Sequence, residues 1–123
     1  MSDMELDRIV SFIQEHNPSY TAKDTLREYI KKHFEYKTGF VFYDNENNIV
    51  AVCRWNISKD GTIADILDLY IRKDWRFKHI IQQMLRKGLW IFPKVMFIRF
   101  ERRKKYPWKD KVLIPINKIL KRR

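Results

Sequence analysis

The sequence predicts a three-layer α+β (α/β) domain: a mixed, mostly antiparallel sheet with helices on both faces, in the order α-α-β-β-β-α-β-β. Three observations carry this. Apolar residues recur at helical spacing over the first 34 residues. The period then drops to two over residues 40–57, where β-branched and aromatic residues dominate. Last, a strand pattern at 62–71 is followed by a helical pattern and another strand, a crossover unit that implies a parallel pair.

Each element has its own local reason. From Met4 to His16, Leu6, Ile9, Val10 and Ile13 fall on one helical face. Ser2 and Glu5 have the spacing of a capping box. Asn17-Pro18-Ser19 stops that helix. A second helix is expected from Ala22 to Phe34, with Thr21 as N-cap and Leu26, Tyr29, Ile30 and His33 on one face. Phe40 to Tyr43 and Ile49 to Ile57 then read as a hairpin around the polar run Asp44-Asn45-Glu46-Asn47-Asn48. Lys59-Asp60-Gly61 makes the next turn.

Thr62 to Ile71 is apolar on both faces, as a central strand covered on two sides would be. Regular alternation puts Ile63, Leu67, Leu69 and Ile71 on one face, and Ala64, Ile66 and Tyr70 on the other. A helix from Trp75 to Trp90 follows, with Gly88 near its end and Pro93 beyond it. Strands are expected at Val95 to Phe100 and at Val112 to Ile116, joined by the basic loop Arg102 to Lys109. Residues 121–123 are read as a basic tail on a single domain spanning 1–123.

Composition excludes several classes. Of the 123 residues 45% are hydrophobic, with only three Gly and four Pro, which rules out collagen-like, low-complexity and wholly disordered chains. The lone Cys53 forbids an intramolecular disulfide and any cysteine-cluster zinc site. The three histidines show no metal-ligand spacing, so no metal is expected. The acidic start and the absence of a long apolar run point to a cytoplasmic protein without a secretory signal or membrane span.

Charge is split along the chain. Residues 1–71 carry 8 Lys+Arg against 12 Asp+Glu, whereas residues 72–123 carry 18 against 3, within an overall net charge of +11. A basic protein of this kind attracts phosphate-bearing ligands: a nucleotide cofactor, nucleic acid or anionic lipid.

Two stretches narrow the choice. Ile49-Val50-Ala51-Val52 after a polar turn resembles the G-x-x-V-G strand of the GNAT superfamily of N-acetyltransferases. Leu69-x-Ile71-x-x-x-Trp75-Arg76 resembles that family's L-x-V-x-P-x-Y-R passage from the central strand into the cofactor helix. The element order is similar as well. The resemblance implies transfer of an acetyl or other acyl group from acetyl-CoA, or another acyl-CoA, to an amine that the sequence does not identify. It also implies a V-shaped opening where the crossover strands part.

On this resemblance the cofactor-binding residues are Leu69, Tyr70 and Ile71 on the strand and Arg76, Phe77, Lys78, His79, Ile80 and Ile81 at the turn into the helix. The family's pyrophosphate loop reads Q/R-x-x-G-x-G/A. Arg76 matches it, but His79 and Ile81 stand at the small positions, and Lys73 replaces the usual Pro. A Cβ there comes between phosphate and backbone amide. Two outcomes stay open: an anion held in a modified pose by Lys73, Arg76 and Lys78, or a degenerate descendant of the family.

The resemblance further implies a carboxylate that takes the amine proton and a tyrosine that protonates the leaving thiolate. Asp68 is the preferred base. The alternative for Asp68 and Asp65 is pairing with Arg54 or Arg99 on adjacent strands. Three apart, the two carboxylates point to opposite faces unless a bulge intervenes. Tyr106 is the candidate acid, although the family's usual helix is not visible around it. A rival reading is a non-catalytic module of the same fold, binding nucleic acid or an acidic partner through the basic half. Arg102, Arg103, Lys104, Lys105 and Trp108 would then be the contacts, gripping phosphate and stacking on bases.

Overall fold

The computed structural model describes residues 1–19, 22–75, 80–102 and 110–120. Its elements are α1 (Asp3–His16), α2 (Lys23–Glu35), β1 (Gly39–Tyr43), β2 (Ile49–Ile57), β3 (Ile63–Ile71), a 3-10 turn (Lys73–Trp75), α3 (Ile80–Ile91), β4 (Phe97–Arg102), β5 (Asp110–Pro115) and a single turn α4 (Ile116–Ile119). The fold is mixed α+β. The strands form one sheet in chain order, β1 to β5, antiparallel except for the parallel β3–β4 pair that α3 connects. Among the described residues no helix is long and apolar enough to cross a membrane.

The capping prediction holds at α1, where the Ser2 hydroxyl accepts a hydrogen bond from the Glu5 amide at 3.1 Å. At α2 the cap position falls on Ala22, which offers no side-chain cap bond; Thr21 lies outside the described residues. Ile116, expected to end the last strand, instead opens α4 after Pro115. Residues 121–123 also lie outside the described residues.

Two cores sandwich the sheet. On one face α1 and α2 cover Ile49, Val52 and Tyr70, burying Ile9, Val10, Ile13 and Ile30. On the other, α3 and α4 cover Phe40, Cys53, Trp55, Ala64 and Ile98. Gly88, expected near the end of its helix, lies inside α3, where a Cβ would stand 1.9 Å from Trp55 Cη2. The missing side chain lets the indole lie flush against the helix backbone.

Regular alternation along β3 fails at one place. Asp68 pairs with Arg54 and Asp65 with Asn56, but Ile66 pairs with Trp55, so Leu67 is an extra residue. This bulge reverses the faces C-terminal to it. Ala64, Ile66, Leu69 and Ile71 therefore share the α3 face, and Tyr70 meets the α1–α2 core. Leu67, expected to share a face with Leu69, is exposed instead. Asp65 and Asp68 come to the same side because their partners Asn56 and Arg54 do.

Candidate functional site

β3 and β4 pair over only three residues, Ile63↔Phe97 to Asp65↔Arg99. Beyond that point β4 stays with β5 as far as Arg102, and β3 runs on alongside β2. The strands part into the opening expected for the crossover. A cavity of about 1220 Å3 occupies it. Every residue of β3 from Asp65 to Tyr70 borders this cavity. A strand shows alternate residues to alternate faces, so a space that touches six in a row runs along the strand's edge. The backbone amides and carbonyls on that edge are offered to an occupant.

The walls differ in chemistry. Toward α3 they are apolar, formed by Trp55, Met84, Leu85, Ile98 and Phe100. Trp55 is 1% exposed, and its indole Nε1 has no hydrogen-bond partner among the described residues. A buried donor in a cavity wall is suited to an oxygen of a ligand. Toward the α1–α2 connection the wall is polar, with His16, Asn17, Asp65, Asp68 and Tyr70.

Asp68 is tied down. It is 5% exposed and forms a buried ion pair with Arg54, itself 6% exposed. Arg54 Nε donates to Asp68 Oδ2 at 2.6 Å, and Arg54 Nη2 donates to the same oxygen. The Tyr70 hydroxyl donates to Asp68 Oδ1 at 3.2 Å, and Asn17 Nδ2 donates to that hydroxyl at 2.9 Å. Asp65 accepts from Arg99 Nη2 at 3.0 Å. Of the two readings open for these carboxylates, pairing with Arg54 and Arg99 is the one seen. Burial, more than the neighbouring Asp68, pushes the Cys53 thiol up to about 12, so it stays protonated at neutral pH and is no nucleophile.

The other sequence-derived positions divide as follows. Leu69 and Tyr70 line the opening, and Ile71 lies just beyond them at the end of β3. Ile80 and Ile81 both border the cavity; Ile80 is buried in the α3 core, and Ile81 is 42% exposed. Arg76, Phe77, Lys78 and His79 lie outside the described residues, as do Arg103, Lys104, Lys105, Tyr106 and Trp108; Arg102 ends β4. Sequence reasoning missed His16 and Asn17 as cavity residues. Only the bend after α1 and the parting of the strands bring them to it. Among the described residues no group of three or more His, Cys, Asp or Glu is placed to hold a metal ion.

No protein-family profile matches the sequence, and no curated protein matches it. Solved structures do. A chimera of spermidine N-acetyltransferase from Vibrio cholerae and hSSAT superposes with a TM-score of 0.63 at 15% identity, covering 99% of this chain and 97% of that one. An aminoglycoside 6'-N-acetyltransferase complexed with coenzyme A gives 0.63 at 10% identity, over 81% of this chain and 56% of the other. An acetyltransferase of the GNAT family from Staphylococcus aureus Mu50 gives 0.62 at 15% identity, covering 86% and 73%. At such identities these likenesses establish the fold, and the fold is that of the GNAT acetyltransferases.

Proposed function

We propose that this chain, which carries the GNAT fold, transfers an acyl group from a coenzyme A thioester to an amine. The observation that carries the reading is the cavity along the free edge of β3. It is apolar on the α3 side and follows the edge of β3 that β4 leaves unpaired, as a pantetheine arm with its two amides requires. The orphaned Trp55 Nε1 fits the same occupant. When bound, the thioester supplies an activated acyl carbon. The protein's part is to hold and polarise it. Backbone N–H groups at Leu69 to Ile71 lie where the acyl carbonyl would be polarised, and Arg76 to Ile81 are proposed to hold the pyrophosphate at the α3 N-terminus. Ile81 borders the cavity and is partly exposed, which is compatible with an anion at this end.

Asp68 serves this site by fixing geometry. Its pairing with Arg54 anchors the Tyr70 hydroxyl at the polar end of the cavity. Tyr106 stays a proposed acid on the sequence resemblance alone. The rival nucleic-acid reading rests on the basic half and its flanking Trp108, and the solved neighbours lend it no support.

Thermal unfolding with and without CoA tests the reading. Any ligand that binds only the folded state stabilises it, by about 2.7 kcal/mol at a hundred times its Kd. CoA is expected to raise the melting temperature and to slow amide exchange at residues 67–71 and 80–85. An unchanged melting temperature at millimolar CoA overturns it.

A further inference from the structure

Resting on that reading, we propose that His16 Nε2 is the base that receives the proton of the attacking amine. The group sits at the end of α1, half-buried in the polar wall of the cavity. Its Nδ1 lies 2.8 Å from the Phe12 carbonyl oxygen. A carbonyl oxygen only accepts, so Nδ1 carries the hydrogen, and the neutral ring then has its lone pair on Nε2. The ring is pinned as well as polarised. Phe12 lies against it with centroids 4.2 Å apart, and the Tyr70 ring is 6.0 Å away on the β3 side.

Elimination among the described cavity residues leads to the same atom. Their titratable groups are His16, Cys53, Asp65, Asp68 and Tyr70. Cys53 is held protonated by burial. Asp65 and Asp68 are committed to Arg99 and Arg54, and the Tyr70 hydroxyl sits between Asn17 and Asp68. His16 also opens on its other side to a shallow hollow lined by Asp7, Arg8, Glu15 and Arg72, the last of which pairs with Asp44 and Asp74. That side gives the imidazole a route for its proton to solvent. A base that is wet on one face and lines the reaction cavity on the other recycles between turnovers.

The step balances without a further reactant. The amine nitrogen uses its lone pair to form the C–N bond, and its surplus proton passes to His16 Nε2. The C–S bond breaks with its electron pair on sulfur. The thiolate takes its proton from the proposed acid Tyr106, which recovers one from solvent, and the imidazolium returns its proton to solvent.

Two substitutions and one spectrum test this. His16→Asn keeps a short side-chain donor for the Phe12 carbonyl but has no base; His16→Gln loses that donor geometry. Both are compared with the wild type for acetyl transfer from acetyl-CoA to spermidine, with melting temperatures recorded alongside. The expected result is a loss of kcat on the order of 10²–10⁴-fold in His16→Asn at an unchanged melting temperature. The wild type's kcat/KM is expected to show an acid limb that the variant lacks. Nitrogen NMR of the wild-type ring is expected to show Nδ1 protonated and Nε2 bare. A protonated Nε2 in the neutral ring, or a His16→Asn enzyme with wild-type turnover, overturns the assignment. If wild type neither turns over nor gains stability from CoA, the acyltransferase reading fails. The ring spectrum still decides which nitrogen carries the lone pair.

Discussion

Substituting Gly88 by Ala probes the contact on which the α3 wall of the cavity depends. The added methyl would stand 1.9 Å from Trp55 Cη2 and 2.4 Å from Cζ2. Ordinary carbon contacts begin near 3.4 Å, so ring and helix must separate by about 1.5 Å. The ring cannot yield freely. It is fully buried, with Phe40 edge-on at 4.9 Å and Phe92 at 6.2 Å. Overpacking of this kind costs about 1–3 kcal/mol, and so large an overlap belongs at the top of that range. Ala exceeds Gly in a helix interior by about 1 kcal/mol, which offsets part of the loss. The net expectation is about 2 kcal/mol of destabilisation, a drop of roughly 8 °C for a domain this size. Urea unfolding of the single variant, of Trp55→Leu and of the double variant gives the coupling directly. In the Trp55→Leu background Gly88→Ala should become neutral or stabilising. A Gly88→Ala protein as stable as the parent would refute the close approach of indole and helix. An equal loss in both backgrounds would refute it too.

Breaking the buried pair by Asp68→Asn strands the Arg54 charge and should cost about 3–5 kcal/mol in denaturant unfolding. The double change Arg54→Met, Asp68→Leu should recover most of it, and a loss below about 1 kcal/mol for the single variant would contradict the burial of the pair. Burial first, then the nearby Arg54 cation, lower the pKa of His33 from its usual 6.5. The unfolded chain therefore takes up a proton at a pH where the folded ring does not. Stability from this group is complete above about pH 6.5 and declines as the pH falls below it. Melting temperatures of wild type and His33→Gln from pH 8 to pH 5 should diverge, with the variant falling less; parallel curves would reject the cause.

The element order, the hairpin and the crossover were legible in the sequence because each rests on local rules. Helical spacing in α1, period two in β1 and β2, and the Ser2–Glu5 cap need only neighbours in the chain. The pairing of Asp65 and Asp68 with Arg99 and Arg54 was readable as one of two options, since a carboxylate in an apolar strand needs a partner. The resemblance to the GNAT fold was legible in Ile49-Val50-Ala51-Val52 and in the passage from Leu69 to Trp75 and Arg76, although His79 and Ile81 stand where the family has small residues.

The bulge at Leu67 had no such signature. One extra residue reverses every face after it, and which residue is extra depends on the register with β2. The cavity likewise exists only because β4 follows β5 after residue 99 rather than continuing along β3. The lone pair of His16 depends on a hydrogen bond within its own helix, but its role depends on Tyr70, 54 residues later, arriving across the opening. Short-range preferences are fixed by the order of the side chains. The meeting of distant strands is fixed by packing, and it is packing that determined where this protein can bind and react.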